Sequence, residues 1–216
     1  MKNDEVKYLK RAESSKKLGP DASTRKYSGG EVIFSQGDAA EDMFRVEMGY
    51  VKLAVASHRS NKTAITILRA GDYFGQSCLQ RRTVRKATAT SIKESIIARI
   101  SRPAMMLRLD EEPAFAKAFI DHLLNRIAQV EADLADQRLN SSERRLARLL
   151  MQLSDFDALR RGGPPVANVD QGTLAQVVGT TRSRVSHFMN GFRNKGLIDY
   201  NGDLHVHEAL SSFLLE

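Results

Sequence analysis

The chain has 216 residues, 42% of them hydrophobic, which is enough for one or two domains that each bury a core. It contains one cysteine, Cys78, which excludes an intrachain disulfide framework and a four-cysteine iron–sulfur cluster within one chain. The formal net charge is +7, but residues 140–216 are close to neutral, so charge supports nucleic-acid binding only through local clusters of cations. The sequence also lacks a signal peptide and an apolar run long enough to span a bilayer, and we therefore expect a cytoplasmic protein with no membrane partner.

The first two segments of the chain differ in composition. Residues 1–28 are rich in lysine and arginine, and we interpret them as a solvated basic tail rather than a DNA contact. Residues 29–105 contain short runs rich in β-branched and aromatic residues, separated by turn signals such as Gly37-Asp38. The predicted strands are EVIFS, MFRVEM, YVKLAVAS, TAITILR, KATATS and SIIARI. Regularly spaced short strands of this kind predict an antiparallel barrel or jelly roll.

Residues 106–139 are predicted to form the dimerisation segment, with a long helix over residues 112–139, where apolar side chains recur at steps of four and three. The predicted seam consists of Ala116, Ile120, Leu123, Ile127, Val130 and Leu134. Such a narrow a/d stripe is typical of a coiled coil and suits pairing with a second copy better than covering a sheet. An amphipathic helix packed on its own barrel is the alternative. We expect a homodimer held by this helix.

Residues 140–216 predict a winged helix-turn-helix, and the strongest part of the pattern is the segment 171–190. Gly179 lies where a short turn leaves the right-handed helical region, and Thr181 follows as the cap of a second helix. The predicted buried side chains are Leu174, Val178, Val185, Phe188, Met189 and Phe192. The other face of the second helix carries Arg182, Ser183, Ser186, His187, Asn190 and Arg193. This cationic, hydrogen-bonding face fits the major groove of double-stranded DNA, and a helical hairpin with a solvated basic face is the alternative.

The segments that flank these two helices complete the winged fold. Alternation around Asn201-Gly202 predicts a β-hairpin wing. A third strand is predicted over residues 166–169. A further helix is predicted to begin at a capping box formed by Asn140 and Glu143.

The order of β-roll, long helix and winged helix resembles that of the cyclic AMP receptor protein/FNR (Crp/Fnr) family of bacterial transcription regulators. The resemblance covers about residues 29–209 and is carried by IFSQGD at 33–38, MGYVKL at 48–53, ILRAGDYFGQ at 67–76 and GTTRSRVSHFMNGFRNKGLIDYNG at 179–202. It implies an α+β protein with an N-terminal antiparallel β-roll like the jelly roll of cyclic nucleotide-binding domains, a long dimerisation helix and a C-terminal winged helix-turn-helix. It also implies a non-enzymatic, sequence-specific DNA-binding regulator that acts as a homodimer on a palindromic operator, with RNA polymerase as a partner if it activates.

The resemblance places an effector pocket in the β-roll, with the family's phosphate-binding segment at residues 74–88. Its assigned residues are Gly75, Gln76, Ser77, Arg85, Lys86 and Gln129. Gly75 and Arg85 match the family's contacts to a cyclic phosphate. Gln76 stands where the family has a ribose-binding glutamate, so a charge-assisted hydrogen bond of roughly 1.5–3 kcal/mol is lost. Lys86 stands where the family has a small phosphate-contacting serine, and the adenine-contacting threonine of the long helix falls near Gln129 or Val130. We therefore expect no required cofactor, little affinity for cyclic AMP and, at most, another anionic nucleotide as effector.

Four cations cluster within six residues of this segment: Arg81, Arg82, Arg85 and Lys86. A site for a polyanion such as a cyclic dinucleotide and a loop of solvated charges are both compatible with this cluster. We favour the solvated loop, because an alternating strand points only some of these side chains inward.

The resemblance also divides the second helix into two kinds of DNA contact. Base readout falls to Arg182, Ser183, Ser186 and His187, and phosphate contacts fall to Thr181, Arg184 and Arg193. The fork of Arg182 matches the O6 and N7 atoms of guanine. Glutamate and arginine are common in the family at the positions of Ser183 and His187, so we expect a shifted operator sequence.

Two other classes of function were weighed. A ligand sensor whose helix-turn-helix serves a protein partner is the alternative to a DNA-binding regulator, and the outward arginines argue against it. A metal-dependent enzyme built on the roll would need several histidines and a carboxylate, but the roll contains only His58. His205 and His207 share one face of the wing, and we interpret these two histidines as ordinary wing residues rather than a zinc site. We therefore expect no catalytic or metal site, and we interpret Cys78 as a small buried hydrophobe rather than a redox switch.

Overall fold

The computed structural model describes residues 22–57, 60–80, 84–154, 169–201 and 203–215. The predictions for the tail up to residue 21, for His58, for Arg81 and Arg82, and for residues 166–168 of the third strand lie outside the described residues. The chain forms two compact units, residues 1–124 and 125–216. The division falls inside the long helix rather than at the predicted boundary after residue 139, because the last turns of this helix bond to the elements that follow.

The first unit confirms the predicted β-roll. Its strands are β1 (Ala22–Tyr27), β2 (Val32–Phe34), β3 (Asp42–Met48), β4 (Tyr50–Ser57), β5 (Ser60–Arg69), β6 (Tyr73–Phe74), β7 (Thr88–Ser91) and β8 (Ser95–Ser101). They form two antiparallel four-stranded sheets, in the orders β1-β8-β3-β6 and β2-β7-β4-β5. Val46, Val51, Leu68, Phe74 and Ile97 are buried in its core.

Strand β1 corrects the prediction that residues 1–28 are a tail. Its sequence ASTRKY is polar, and Ser23 to Lys26 are exposed, so no hydrophobic alternation announces a strand. Backbone pairing with β8 holds β1 in the sheet, from Ala22 opposite Ile100 to Tyr27 opposite Ser95. An edge strand held by backbone bonds and one buried tyrosine leaves little trace in a sequence.

Helix α2 (Pro113–Leu139) confirms the long helical stretch predicted over residues 112–139. Residues 106–111, which were assigned to the same dimerisation segment, belong instead to a separate helix, α1 (Arg102–Glu111). Pro113 has no N–H to donate and disfavours helical geometry in the residue before it. That residue, Glu112, has φ −114° and ψ 84°, which ends α1.

The second unit confirms the winged helix-turn-helix. Its elements after α2 are α3 (Ser142–Leu153), α4 (Gln171–Val178), α5 (Arg182–Asn194), β9 (Ile198–Asn201), β10 (Asp203–Val206) and α6 (Ala209–Leu215). Strands β9 and β10 form the antiparallel wing, and Val169 is buried but lies outside any strand. The cap of α3 is Ser141, whose hydroxyl accepts from the Arg144 N–H, rather than Asn140. The Asn140 side chain lies against α2 instead, where its amide donates to Asp136.

Candidate nucleic-acid interface and effector pocket

The turn between α4 and α5 is fixed by two local features of the sequence. Gly179 caps α4 with φ 72°, in the left-handed region that glycine adopts with little strain. The Thr181 hydroxyl accepts a hydrogen bond from the Arg184 N–H at 3.3 Å and caps α5. Both features were predicted, and together they set where the second helix begins and which way its first turn faces.

Helix α5 separates an apolar face from a polar face. Val185, Met189 and Phe192 are buried at steps of four and three residues. Phe188, which was expected in the core, is only partly buried and lies beside Arg184, whose guanidinium is 5.7 Å from its ring centroid. On the outer face, Thr181, Arg182, Ser183, Arg184, His187 and Arg193 are exposed and Ser186 is partly exposed. The structure therefore brings the seven predicted DNA-contacting residues to one helix and its cap.

The cations of this outer face are well placed to bind an anion. Among the described residues, neither Arg182 nor Arg193 forms an ion pair. Both can therefore donate to a phosphate or a base edge without first breaking an ion pair of this kind.

Helix α6, which the sequence analysis missed, supports α5 from its buried side. Phe213 packs edge-on against Phe192 with 5.5 Å between ring centroids, and the Lys195 ammonium lies 5.2 Å from the Phe213 ring. Arg144 of α3 donates to the Leu214 carbonyl at 3.3 Å. The pattern of Leu210 and Phe213 one turn apart is the only signal in the sequence for this short helix.

Helix α2 exposes a stripe of large aliphatic side chains. Four of the six predicted seam residues are more than half exposed: Ile120, Ile127, Val130 and Leu134. Leu124 is 58% exposed and adds to the stripe, although the a/d spacing did not include it. Ala116 and Leu123 are partly buried, and Leu123 packs on the apolar core of the roll, which is why it is not free for a partner. A stripe of this kind on a helix surface is typical of an interaction site.

A cavity of about 330 Å³ lies in the β-roll next to a short 3₁₀ helix at Gln76–Leu79. Its lining residues are Phe34, Leu53, Gly75, Gln76, Ser77, Gln80, Arg85, Lys86 and Ala87. Five of the six predicted effector residues are among them. Gln129 is not, and its amide instead donates to Asp133 at 2.7 Å. The sequence analysis missed the apolar walls, Phe34 and Leu53, because the resemblance marks polar contacts only.

Arg85 is 3% exposed, and its guanidinium is hydrogen-bonded within the protein. Nη1 donates to the Gly75 carbonyl at 2.9 Å, and Nη2 donates to the Asp42 carbonyl at 2.8 Å. The guanidinium also lies 4.4 Å from the Phe34 ring centroid and 5.3 Å from that of Phe44. Burial lowers the pKa of Arg85, although an arginine remains charged at neutral pH. Arg85 therefore braces the segment that begins at Gly75.

A side chain at the position of Gly75 would strain this arrangement. Its φ is 79°, and a Cβ atom there would lie 2.7 Å from Nη1 of Arg85. Gly75 and Arg85 thus pack directly against each other. Among the lining residues that the structure describes, Lys86 is the exposed, solvent-facing cation.

Cys78 is completely buried beside Met43, Ala98 and Met105. Burial raises the pKa of its thiol, which disfavours the reactive thiolate. On the wing, Nε2 of His207 lies 3.0 Å from the Asp199 carboxylate. Within the described ranges, no three histidine, cysteine or acidic side chains converge to hold a metal ion. No described helix is long and apolar enough to cross a membrane.

Two protein families match the sequence in adjacent segments. The cyclic nucleotide-binding domain family matches residues 24–111, and the Crp-like helix-turn-helix domain family matches residues 144–210. The CRP-like cAMP-activated global transcriptional regulator of Mycobacterium tuberculosis is 25% identical over 175 residues, which cover 80% of this chain and 78% of the relative. The cyclic AMP receptor protein of Thermus thermophilus is 25% identical over 186 residues, which cover 86% and 84% respectively.

A solved structure matches the fold over most of the chain. FixK2 from Bradyrhizobium japonicum superposes with a TM-score of 0.73 at 17% identity, covering 88% of this chain and 96% of that one.

Proposed function

Because the chain belongs to the Crp/Fnr family of transcription regulators, which are not enzymes, we propose that it binds a palindromic operator as a homodimer and does so without cyclic AMP. The observation that carries this proposal is the outer face of α5, where the predicted contact residues are exposed while the opposite face is buried. A DNA-binding protein acts where the chromosome is, so we place it in the cytoplasm, with RNA polymerase as a partner if it activates.

The proposed DNA contacts divide by chemistry. Arg182 reads a guanine through two parallel hydrogen bonds, and Ser183, Ser186 and His187 make weaker or water-mediated contacts to neighbouring bases. Thr181, Arg184 and Arg193 contact phosphates, which fixes the register of the helix without reading sequence. The contacts that Ser183, Ser186 and His187 can make to bases are weaker than two parallel hydrogen bonds from an arginine. Most of the sequence preference therefore rests on Arg182.

The exposed stripe on α2 supports the homodimer. Ile127, Val130 and Leu134 leave large apolar surfaces in water unless a second helix covers them. Pairing with an identical helix buries the same residues on both copies and generates a two-fold axis. A two-fold protein that presents two recognition helices matches a palindromic site with half-sites about 34–36 Å apart.

Independence from cyclic AMP is supported by three residues of the roll. Gln76 has no charge for a ribose hydroxyl, and exposed Lys86 replaces a small hydroxyl. Both terminal nitrogens of Arg85 already donate to backbone carbonyls, so a cyclic phosphate would have to displace those bonds. The names of the Mycobacterium tuberculosis and Thermus thermophilus relatives mention cyclic AMP, but at 25% identity a relative's ligand need not be the ligand of this chain. If an effector acts here, we expect another anion that pairs with Lys86.

The experiment is selection of binding sites from random duplexes by the purified protein, with no nucleotide added. We expect an enriched palindrome that contains a guanine in each half-site. Repeating the binding at two salt concentrations separates this outcome from the alternative, a protein-binding helix-turn-helix. Enrichment of no sequence, with no salt-dependent binding to any duplex, would contradict the proposal.

A further inference from the structure

The last turn of α2 contains a buried carboxylate, that of Asp136, at a position where a negative charge is unfavourable. Asp136 lies in the last turn of the helix, where the carbonyl end of the helix dipole repels negative charge. The residue is nevertheless only 8% exposed. A carboxylate in such a place needs compensating partners, because burial and the dipole both disfavour its charge.

The partners of Asp136 come from the residues that follow α2. Arg148 of α3 forms an ion pair with its carboxylate. The Asn140 side-chain amide donates to the same carboxylate oxygen, Oδ1, at 2.6 Å. The ion pair therefore joins two different helices across the short connection formed by Asn140 and Ser141.

A second arginine joins three elements at the same connection. Nη1 of Arg145 donates to the Asn140 carbonyl at 2.8 Å and to the Gln137 carbonyl at 3.4 Å. Its Nε donates to the Val178 carbonyl at 3.1 Å. Gln137 and Val178 lie at the C-terminal ends of α2 and α4, where backbone carbonyls have no partner within the helix. One guanidinium therefore satisfies carbonyls at two helix ends, and one of them immediately precedes the turn into α5.

We propose that Asp136, Asn140, Arg145 and Arg148 form a junction clamp that positions the recognition helix relative to the last turns of the dimerisation helix. This inference rests on the proposed function, since its consequence appears in DNA binding. None of the four side chains is among the proposed DNA contacts. They are positioning residues, and the clamp joins α2, α3 and α4 within the second unit.

The clamp has a specific consequence for operator recognition. If each recognition helix is fixed to its own dimerisation helix, the dimer accepts one half-site spacing and rejects others. One added base pair rotates the second half-site by about a tenth of a turn and moves it about 3.4 Å. A winged helix-turn-helix that is not held by the clamp would tolerate this displacement. It would bind the operator with the correct spacing less tightly, because it must be ordered on binding.

The variants are Arg145→Lys and Asp136→Asn, with Arg138→Lys as the control. Lysine keeps the charge of Arg145 but cannot serve carbonyls at two helix ends at once. Asparagine keeps the shape of Asp136 and removes the charge that pairs with Arg148. Arg138 is exposed on the last turn of the same helix, so its replacement by lysine repeats the chemical change away from the clamp. Circular dichroism and thermal melting establish that each variant is folded.

Two measurements are made on the full-length protein. Amide hydrogen exchange of the peptides that contain residues 139–146 and 176–182 reports the clamp without DNA. Affinities for the selected operator, and for the same operator with one base pair added between the half-sites, report positioning. We expect both clamp variants to exchange at least tenfold faster in these peptides. We also expect a spacing preference of tenfold or more in the wild type and in Arg138→Lys, and of threefold or less in the clamp variants.

Unchanged exchange in both clamp variants, or equal acceleration in Arg138→Lys, would overturn the clamp. Faster exchange with an unchanged spacing preference would overturn its role in positioning. A wild-type protein that binds no duplex would instead contradict the proposed function, and the exchange data would still decide whether the clamp exists.

Discussion

The recognition helix and the effector pocket use their arginines in opposite ways. In the second unit, Arg182 and Arg193 project from α5 into solvent with no ion pair among the described residues. In the β-roll, Arg85 is buried, and both of its terminal nitrogens donate to backbone carbonyls. A basic residue at a position that matches a binding motif is therefore not always free to contact a ligand.

The same contrast holds for apolar side chains. Beyond Asn125, α2 exposes Ile127, Val130 and Leu134, whereas the roll turns Phe34, Phe44 and Phe74 towards one another, with ring centroids 5.3–5.9 Å apart. Helices α2 and α5 thus expose side chains that are suited to binding partners, whereas the buried side chains of the β-roll bond and pack within the roll itself. The following predictions test this division.

The largest effect is expected from charging the exposed stripe. Replacing Ile127 and Val130 with aspartate would bury four charges in the paired helices, which should cost several kcal/mol of dimer stability. The matched control replaces Ala128 and Ala132, which are exposed on another side of the same helix, with aspartate. Sedimentation at micromolar concentration should show a monomer for the first variant and a dimer for the second. A dimer in both cases would remove the stripe from the interface.

Arg85→Ala should destabilise the β-roll by about 2–5 kcal/mol, because it leaves the Gly75 and Asp42 carbonyls unpaired and opens a void beside Phe34. Lys86→Ala is the matched control, since the neighbouring lysine is exposed and should change stability by less than about 0.5 kcal/mol. Urea unfolding of both variants measures the difference. Equal stabilities would mean that Arg85 is not a brace, and the contrast with the exposed arginines of α5 would fail.

Arg182→Ala should weaken binding to the selected operator by about 1–3 kcal/mol without changing thermal stability, because the side chain is exposed. The preference for one base pair in each half-site should relax. Binding to a panel of operators that differ at single positions measures this. A uniform loss across the panel would assign Arg182 to a phosphate instead of a base.

Arg193→Ala should have the smallest effect, a uniform weakening across all sequences. Loss of one phosphate contact should lower the slope of log affinity against log salt by about 1. Titrations at several salt concentrations, on specific and unrelated duplexes, test this. A selective loss for one operator sequence would show that Arg193 reads a base.

Local signals made the second unit readable from the sequence. A left-handed glycine, a capping threonine and apolar residues at helical spacing each act over a few residues, so Gly179, Thr181 and Val185 lie where the pattern placed them. The cap of α3 was misplaced by one residue because Asn140 and Ser141 are both good caps. In the structure the Asn140 amide bonds to Asp136, one helical turn earlier, and the Ser141 hydroxyl caps the helix.

The bracing of the pocket could not be read in the same way. Arg85 donates to the backbone carbonyls of Gly75 and Asp42, and a carbonyl has no residue identity that a sequence could reveal. The junction clamp was missed for the same reason, since Arg145 bonds to carbonyls as far away as Val178. Strand β1 was missed because polar residues held by backbone pairing show no alternation.

The most direct test of operator binding without cyclic AMP is a titration of the selected operator with the purified dimer, in the absence of nucleotide and at rising cyclic AMP concentrations up to millimolar. An effector shifts an equilibrium only through different affinities for two states, and a pocket with Gln76, Lys86 and an engaged Arg85 gives cyclic AMP little affinity to use. We expect tight operator binding in both conditions, with affinities that agree within about twofold. A gain of tenfold or more with cyclic AMP, which corresponds to about 1.4 kcal/mol of coupling, would contradict this proposal.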